Sequence, residues 1–148
     1  MQTKLTIELV PSGQWGDNLR SRIPKSQWDY LRKKQYKKAE HRCEICGGRG
    51  PKWPVECHEI WHYDEPNKVQ RLAGLIALCP KCHMVKHMGR SLSTGKGQIA
   101  KKHLMKVNGW TMSDVNFYIE AMFEIWYRRS RENWTVDLTW LEKTQNTG

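Results

Sequence analysis

The sequence contains no long apolar run and no secretory leader. None of its apolar stretches approaches the roughly 18 residues that a membrane-spanning helix needs. Residues 1–7 lack the apolar core and the small-residue cleavage site of a signal peptide. We therefore expect a cytoplasmic protein with no membrane partner. Repeats and low-complexity segments are also absent, and we interpret residues 1–148 as a single domain.

Acidic residues are scarce compared with basic ones. The chain has 15 Asp and Glu against 25 Lys and Arg, which gives a formal net charge of +10. Residues 20–42 hold nine Lys or Arg against two acids, and residues 81–106 hold seven and no acid. Such an excess favours a polyanionic partner such as nucleic acid. The residues expected to contact phosphates are Arg32, Lys33, Lys34, Lys37, Lys38 and Lys86.

Cysteines are few, and four of the five have the spacing of metal ligands. Cys43 and Cys46 form one Cys-x-x-Cys pair, and Cys79 and Cys82 form another. Two such pairs are typical of a tetrahedral Zn²⁺ bound by four thiolates. Disulfides are not expected in a reducing compartment. We predict one structural zinc ion, which leaves Cys57 unassigned.

The residues between and after the two cysteine pairs predict a strand, a loop, a second strand and a helix. The predicted bounds are 55–60 for the first strand, 63–68 for the loop, 72–78 for the second strand and 80–88 for the helix. His83 and His87 stand four residues apart and should share one face of that helix. Cys57, His58 and Glu59 on the first strand are further candidate ligands or bases.

Helices and two more strands are predicted to flank this core. Residues 5–10 and 134–138 alternate apolar and polar types, which indicates strands that we expect to pair with each other. Helical flanks are predicted at residues 24–42, capped by Ser26, and at 98–133, where Ser113 caps the long helix. The composition of residues 89–97 favours a flexible connection. The fold class predicted is α+β.

Residues 43–88 resemble the HNH endonucleases of the ββα-metal (His-Me finger) class, in particular small standalone bacterial and phage members. Two motifs carry the resemblance, Cys57-His58-Glu59-Ile60 and Leu75-Ile76-Ala77-Leu78-Cys79-Pro80-Lys81-Cys82-His83 followed by His87. The resemblance implies a ββα-metal finger with a four-cysteine zinc site, flanked by helices and a small terminal β-pairing. It also implies a metal-dependent DNA endonuclease, a hydrolase that leaves 5′ phosphate and 3′ hydroxyl ends.

The resemblance also gives the candidate residues their roles. His58 is favoured as the general base, which takes a proton from the attacking water. His83 and His87, with Cys57, would hold Mg²⁺ or another divalent cation at the catalytic centre. An alternative register places His58 on the cation and Glu59 in the position of the base. Both assignments make His83 part of the catalytic site.

Two positions depart from the pattern of the family. Gly74 stands where the family usually has the Asn of its name, and Cys57 stands where it has Asp or His. An alternative function is therefore a catalytically inactive, zinc-stabilised module that binds nucleic acid. A zinc domain that binds other proteins is disfavoured by the charge of +10. The expected partner is DNA, and a homodimer or a larger phage or defence assembly remains open.

Overall fold

The structure, a computed structural model, describes residues 3–14 and 18–145, which form an α+β fold with seven helices and a three-stranded sheet. In chain order the elements are α1 (Leu19–Arg22), α2 (Lys25–Lys38), β1 (Glu56–Asp64), β2 (Val69–Leu78), α3 (Pro80–Lys86), α4 (Met88–Ser93), α5 (Gly97–Asn108), α6 (Met112–Ser130), β3 (Thr135–Asp137) and α7 (Trp140–Gln145). A 3-10 turn at Ser12–Gln14 precedes α1. The predicted α+β class is confirmed. No helix within the described ranges combines the length and the apolar character that crossing a bilayer requires.

The hairpin of β1 and β2 is antiparallel, with His58 opposite Ile76 and Glu59 opposite Leu75. The Asp64 carboxylate accepts hydrogen bonds from the backbone and side-chain N–H groups of Asn67, which closes the turn between the strands. Helix α3 follows β2 directly. The predicted order of strand, loop, strand and helix is therefore confirmed, and both strands are longer than predicted.

The third strand corrects the predicted pairing of the two chain ends. β3 lies inside the predicted segment 134–138, but it pairs in parallel with β2, with Thr135 opposite Val69. Residues 5–10 form no helix or strand and lie outside the three-stranded sheet. Apolar and polar residues do alternate in both segments, but such a pattern does not identify which strand a segment pairs with.

Side chains of the helical region hold the extended N-terminal segment in place. The Asn108 Oδ1 accepts hydrogen bonds from the backbone N–H groups of Lys4 at 3.1 Å and Leu5 at 2.9 Å. Its Nδ2 donates to the Leu5 carbonyl at 2.9 Å. The Ile7 N–H donates to the Tyr118 hydroxyl at 3.0 Å. Because Leu5 and Ile7 are buried, the alternation reflects burial against helices rather than membership of a sheet.

The two long flanking helices begin close to the predicted positions, but the predicted capping residues are wrong. Helix α2 follows Pro24 without a side-chain cap, and the predicted cap Ser26 lies inside its first turn. Helix α6 is capped by Thr111, whose hydroxyl accepts the Asp114 N–H while the Asp114 carboxylate accepts the Thr111 N–H. This reciprocal capping box places the predicted cap Ser113 within the helix.

Helix α4 occupies most of the segment 89–97, which corrects the prediction of a flexible connection. Met88 at its first position is fully buried, and Ser91 is buried as well. The Ser91 hydroxyl donates a hydrogen bond to the Met84 carbonyl at 2.8 Å. Burial of one large apolar side chain therefore orders a stretch whose Gly and Ser content favoured mobility.

Two clusters of buried apolar side chains pack around the hairpin. One joins the end of β2 to α3, α5 and α6 and includes Leu78, Val85 and Leu104. The other packs α2 and α7 against the strands and includes Trp28 and Leu72. Burial of this kind contributes roughly 1.5–3 kcal/mol for each large apolar side chain. The two clusters together fix α3 against the hairpin, and this juxtaposition positions both candidate metal centres.

Candidate metal centres

Four cysteine thiols meet where the chain after α2 approaches the start of α3. The sulfur atoms of Cys43, Cys46, Cys79 and Cys82 all lie within 4.8 Å of one another. The Sγ atoms of Cys46 and Cys79 are 3.6 Å apart, and none of the four cysteines forms a disulfide. Four thiolates on two Cys-x-x-Cys turns are the donor set of a structural tetrahedral zinc site. The cluster could therefore hold one Zn²⁺, as the spacing predicts.

Each of the four sulfur atoms has one N–H group within hydrogen-bond reach. The backbone contacts are Cys46 N–H to Cys43 at 3.5 Å, Gly48 N–H to Cys46 at 3.4 Å and Cys82 N–H to Cys79 at 3.4 Å. The fourth contact is made by a side chain, because His103 Nε2 lies 3.1 Å from the Cys82 Sγ. Burial, with the nearby Lys81, lowers the pKa of His103, so a neutral imidazole can donate its Nε2–H to a thiolate.

Glu44 ties the first cysteine pair to the end of β2. Its backbone N–H donates to the Ala77 carbonyl at 2.9 Å, and its carboxylate accepts the Ala77 N–H at 2.6 Å. The same carboxylate accepts a hydrogen bond from Gln35 Nε2 on α2 at 2.9 Å. A Cβ at Gly50 would lie 2.3 Å from the Trp53 carbonyl oxygen, so the returning loop requires glycine there. These contacts set the first cysteine pair opposite the second.

Three histidines form a separate cluster between β1 and α3. One ring nitrogen of each of His58, His83 and His87 lies within 4.8 Å of the other two. The ring centroids are 5.3 Å apart for both pairs that include His58 and 4.7 Å apart for the third. His58 is only 3% exposed, and its Nε2 has no hydrogen-bond partner in the described part of the chain. A divalent cation bound by the three imidazoles would satisfy this buried nitrogen, so the residues present fit such an ion.

Glu56 orients one of these imidazoles. The His83 Nδ1 lies 2.5 Å from Glu56 Oε2, and the other carboxylate oxygen accepts the Trp53 indole N–H at 2.9 Å. The hydrogen bond with His83 lowers the pKa of Glu56. The His83 Nε2 then lies 3.2 Å from the His87 Nε2. A carboxylate behind a histidine fixes its tautomer and raises its basicity as a metal ligand.

The protonation state of His87 also suits a ligand role. Loss of surrounding water, followed by the charges of His83 and His58, lowers the pKa of His87 below its ordinary value. A neutral imidazole has a lone pair available for a cation, whereas the imidazolium does not. Burial, with these neighbouring charges, therefore favours the neutral, metal-binding form of His87.

Cys57 does not belong to the histidine cluster, which corrects its predicted place among the catalytic ligands. Adjacent residues of a strand point to opposite faces, so Cys57 and His58 diverge. Cys57 packs instead against the apolar cluster that contains Trp28 and Leu31. Burial raises the pKa of its thiol to about 12. A half-buried thiol that packs on the α2 side has the character of a side chain at the edge of the core.

A cleft of about 870 Å³ opens beside the histidine cluster. His58, Glu59 and His87 line it. Lys86 at the end of α3 and Arg90 on α4 line it as well. The N-terminal segment and α6 contribute apolar and aromatic lining. Glu59 is half-buried and also lines the cleft, although its side chain leaves β1 on the face opposite to His58. The arrangement offers a cation site and an acidic side chain next to one open volume.

The basic residues predicted to contact nucleic acid fall into two groups. The exposed members on α2, named here the α2 lysine face, are Lys33, Lys34, Lys37 and Lys38. Arg32 is partly buried, and its Nε donates to the Asp29 carboxylate at 2.9 Å. Lys86 donates to the Thr6 hydroxyl at 2.8 Å, and burial lowers the pKa of its ammonium group. Of the six predicted residues, the four of the α2 lysine face are the ones exposed to a large polyanion.

Sequence reasoning missed three residues of these sites. Glu56 lies two residues before His58 in β1, so strand alternation could have indicated that both face α3. Glu8, whose Oε2 is 3.6 Å from the His58 Nε2, comes from a segment 50 positions away. His103 reaches Cys82 from α5. No local pattern identifies the last two, because only the tertiary fold brings them to their sites.

Comparisons of the chain with protein-family models, with curated proteins and with solved structures found no match. Inference about function therefore rests on the two clusters, the cleft and the charge distribution described above.

Proposed function

We propose that this protein is a metal-dependent endonuclease that hydrolyses phosphodiester bonds in DNA. The observation that carries the proposal is the convergence of His58, His83 and His87 beside a cleft, with the His58 Nε2 buried and unpaired. Burying a polar atom without a partner costs about 1–3 kcal/mol. A bound cation offsets that cost, whereas a purely structural role does not. The resemblance of residues 43–88 to HNH endonucleases supports the same chemistry.

The donor set indicates which divalent cations suit this site. Imidazole nitrogens favour Zn²⁺, Ni²⁺ and Co²⁺ over Mg²⁺, which prefers oxygen ligands. When bound, the cation would supply a Lewis acid for the phosphate and for the charge that develops on the leaving oxygen. Glu56 holds the His83 ring so that its Nε2 is presented to the cluster. His58 and His87 complete the three-imidazole set.

Glu59 is our candidate for the general base, as in the alternative register of the resemblance. A ligand nitrogen of His58 is directed at the cluster, which makes that side chain better suited to hold the cation than to accept a proton. Glu59 lines the cleft from the strand face opposite to His58, and from there its carboxylate would orient a water molecule in the cleft and take its proton. The preference for His58 as base, formed on the sequence alone, remains the competing assignment.

The proposed substrate, DNA, follows from charge. The α2 lysine face is exposed, and Arg90 adds a cation at the wall of the cleft. Lysines that neutralise phosphates release counterions, so binding should weaken as salt concentration rises. The net charge of +10 gives the whole protein an attraction to polyanions.

A plasmid-cleavage assay with Mg²⁺, Zn²⁺, Ni²⁺ and Co²⁺ tests the catalytic proposal. Ni²⁺ or Co²⁺ should support nicking better than Mg²⁺, and a chelator should stop it. Glu59→Gln should lower the rate by about 10²–10⁴-fold, the usual contribution of a general base, while calorimetry still shows cation binding. His58→Ala should lose both cation binding and cleavage, and Glu65→Gln, an exposed acid elsewhere, is the matched control.

Two outcomes would change the assignment. If His58→Ala binds the cation normally and loses only rate, while Glu59→Gln cuts as the parent does, His58 is the base. If the purified parent cuts DNA with none of these cations, the endonuclease proposal fails. Salt-sensitive DNA binding without cleavage would then indicate the zinc-stabilised binding module.

The α2 lysine face has its own test. Replacing Lys33, Lys34 and Lys37 by Ala should reduce the dependence of log affinity on log salt by up to about 2.7, since each phosphate contact contributes about 0.9. A matched variant with the same change in charge replaces the exposed Lys4, Lys52 and Lys143. Fluorescence anisotropy over a salt series measures both. Equal slopes for the two triple variants would show that charge alone, and not this face, governs binding.

A further inference from the structure

Glu8 brings a carboxylate from the N-terminal segment to the edge of the histidine cluster. Its Oε2 lies 3.6 Å from the His58 Nε2, and its side chain is only 12% exposed. This distance is too long for a hydrogen bond. Within residues 3–14 and 18–145, no group donates a hydrogen bond to the Glu8 carboxylate. A largely buried carboxylate and a buried, unpaired imidazole nitrogen therefore stand side by side.

The separation of these two atoms is close to that of two ligands on one cation. Ligand atoms about 2.1 Å from a cation lie about 3.0 Å apart at an angle of 90° and about 3.4 Å apart at 110°. The Nε2 atoms of His83 and His87 are 3.2 Å apart, within this range. The Glu8 to His58 distance of 3.6 Å exceeds it only slightly. Glu8 is not among the residues whose ligand atoms all lie within 4.8 Å of one another, so its side chain would have to turn towards His83 and His87 for its oxygen to share their cation.

The backbone around Glu8 is held against the helix that carries two of the histidines. The Glu8 N–H donates to the Lys86 carbonyl at 3.0 Å, at the end of α3 and directly before His87. Ile7 and Leu9 on either side are each 7% exposed and pack in the core. The carboxylate is thus positioned by two buried neighbours and one backbone hydrogen bond, as a preorganised ligand requires.

We propose that Glu8 supplies a fourth protein ligand, a carboxylate oxygen, to the cation site formed by His58, His83 and His87. This inference deepens the proposed function and rests on it for the presence of a cation. Three imidazoles and one carboxylate make a set that suits Zn²⁺, Ni²⁺ or Co²⁺. A six-coordinate ion such as Ni²⁺ or Co²⁺ would keep two positions for a water molecule and a substrate phosphate, whereas four protein ligands would fill a tetrahedral Zn²⁺ site. The N-terminal segment then forms part of the active site in addition to packing on the core.

Calorimetric titration of Ni²⁺ into the full, zinc-loaded protein tests the assignment without reference to activity. His83→Ala should abolish this binding and so identify the site. Glu8→Gln keeps the shape of the side chain but removes its charge, and it should raise the Kd for Ni²⁺ by about tenfold or more. Glu8→Asp keeps the charge on a shorter side chain and should fall between the parent and Glu8→Gln. Thr6→Ala, which removes the contact with Lys86 in the same segment, is the matched control and should bind as the parent does.

The outcomes separate this inference from the proposed function. If Glu8→Gln and Glu8→Asp both bind Ni²⁺ as tightly as the parent, Glu8 is not a ligand, whether or not DNA is cut. If the variants weaken binding as expected but the parent never cuts DNA, the ligand assignment stands and the endonuclease proposal fails. If Thr6→Ala weakens binding as much as Glu8→Gln, the effect comes from the segment as a whole and the ligand assignment is overturned. Absence of His83-dependent binding in the parent would overturn both proposals.

Discussion

His103 offers a direct test of how the four-cysteine cluster would hold a zinc ion. Three of the four sulfur atoms lie near backbone N–H groups, which side-chain substitutions leave in place. Cys82 Sγ instead lies 3.1 Å from the Nε2 of His103. Cys82 lies in the first turn of α3. The N–H groups of the residues that follow it donate to carbonyl groups within the helix and are not available to its sulfur atom. Replacing His103 therefore removes the donor to one thiolate without altering the zinc ligands.

The expected size of the effect follows from the kind of contact. A hydrogen bond to a charged group contributes about 1.5–3 kcal/mol. His103 is only half-buried, so water can replace part of that contribution, and we expect the lower end of the range. Loss of an outer-shell partner generally lowers metal affinity about 10–100-fold. We therefore predict that His103→Leu weakens zinc binding about tenfold, or about 1.4 kcal/mol.

Competition with a chromophoric zinc chelator measures the change. His103→Gln retains an N–H donor at nearly the same distance from the backbone and should keep most of the affinity. Lys102→Ala, an exposed change on the same helix, controls for effects on α5 itself. If His103→Leu and His103→Gln both bind zinc as the parent does, the contact does not stabilise the thiolate. If both lose affinity equally, packing of the imidazole matters rather than its N–H group.

Three further predictions concern the fold. Cys46→Ser should unfold the hairpin region in circular dichroism and proteolysis, because zinc domains draw about 10–16 kcal/mol from the metal; a folded parent without zinc in metal analysis would contradict this. Asn108→Ala removes three hydrogen bonds to the N-terminal segment and should lower the free energy of unfolding by about 3 kcal/mol in denaturant titrations. Asn108→Asp, which keeps the acceptor, should lose less, and equal losses would argue against these bonds. Cys57, with a thiol pKa raised to about 12 by burial, should resist alkylation at pH 8 until denaturant is added, and rapid labelling of the folded protein would refute its place in the core.

Local spacing accounts for the parts of the sites that the sequence could predict. Two Cys-x-x-Cys pairs and two histidines four residues apart need only a turn and one helical turn to bring their ligands together. Strand alternation carries comparable information. It would have separated Cys57 from His58 and joined Glu56 to it, had it been applied to the first strand.

Long-range contacts explain what the sequence could not predict. Residues 5–10 alternate because Leu5, Ile7 and Leu9 are buried, yet their backbone groups bond to a side-chain amide, a hydroxyl and a helix carbonyl. An alternating pattern records which residues face a core but not which partner supplies the hydrogen bonds. For the same reason the sequence could not identify Glu8, because its proximity to His58 depends on where the N-terminal segment crosses α3.

The burial of His58 bears on the choice between an enzyme and a binding module. The four-cysteine cluster could hold an ion that joins the segment after α2 to the start of α3, and the histidine cluster is separate from it. A module that only bound DNA would gain from an apolar residue at position 58, opposite Ile76, because an unpaired buried nitrogen costs about 1–3 kcal/mol. Three elements nevertheless direct polar groups at this point, from β1, α3 and the N-terminal segment. Polar groups that lower the stability of the fold are expected mainly at functional sites. Their position beside an open cleft favours the catalytic interpretation over the binding one.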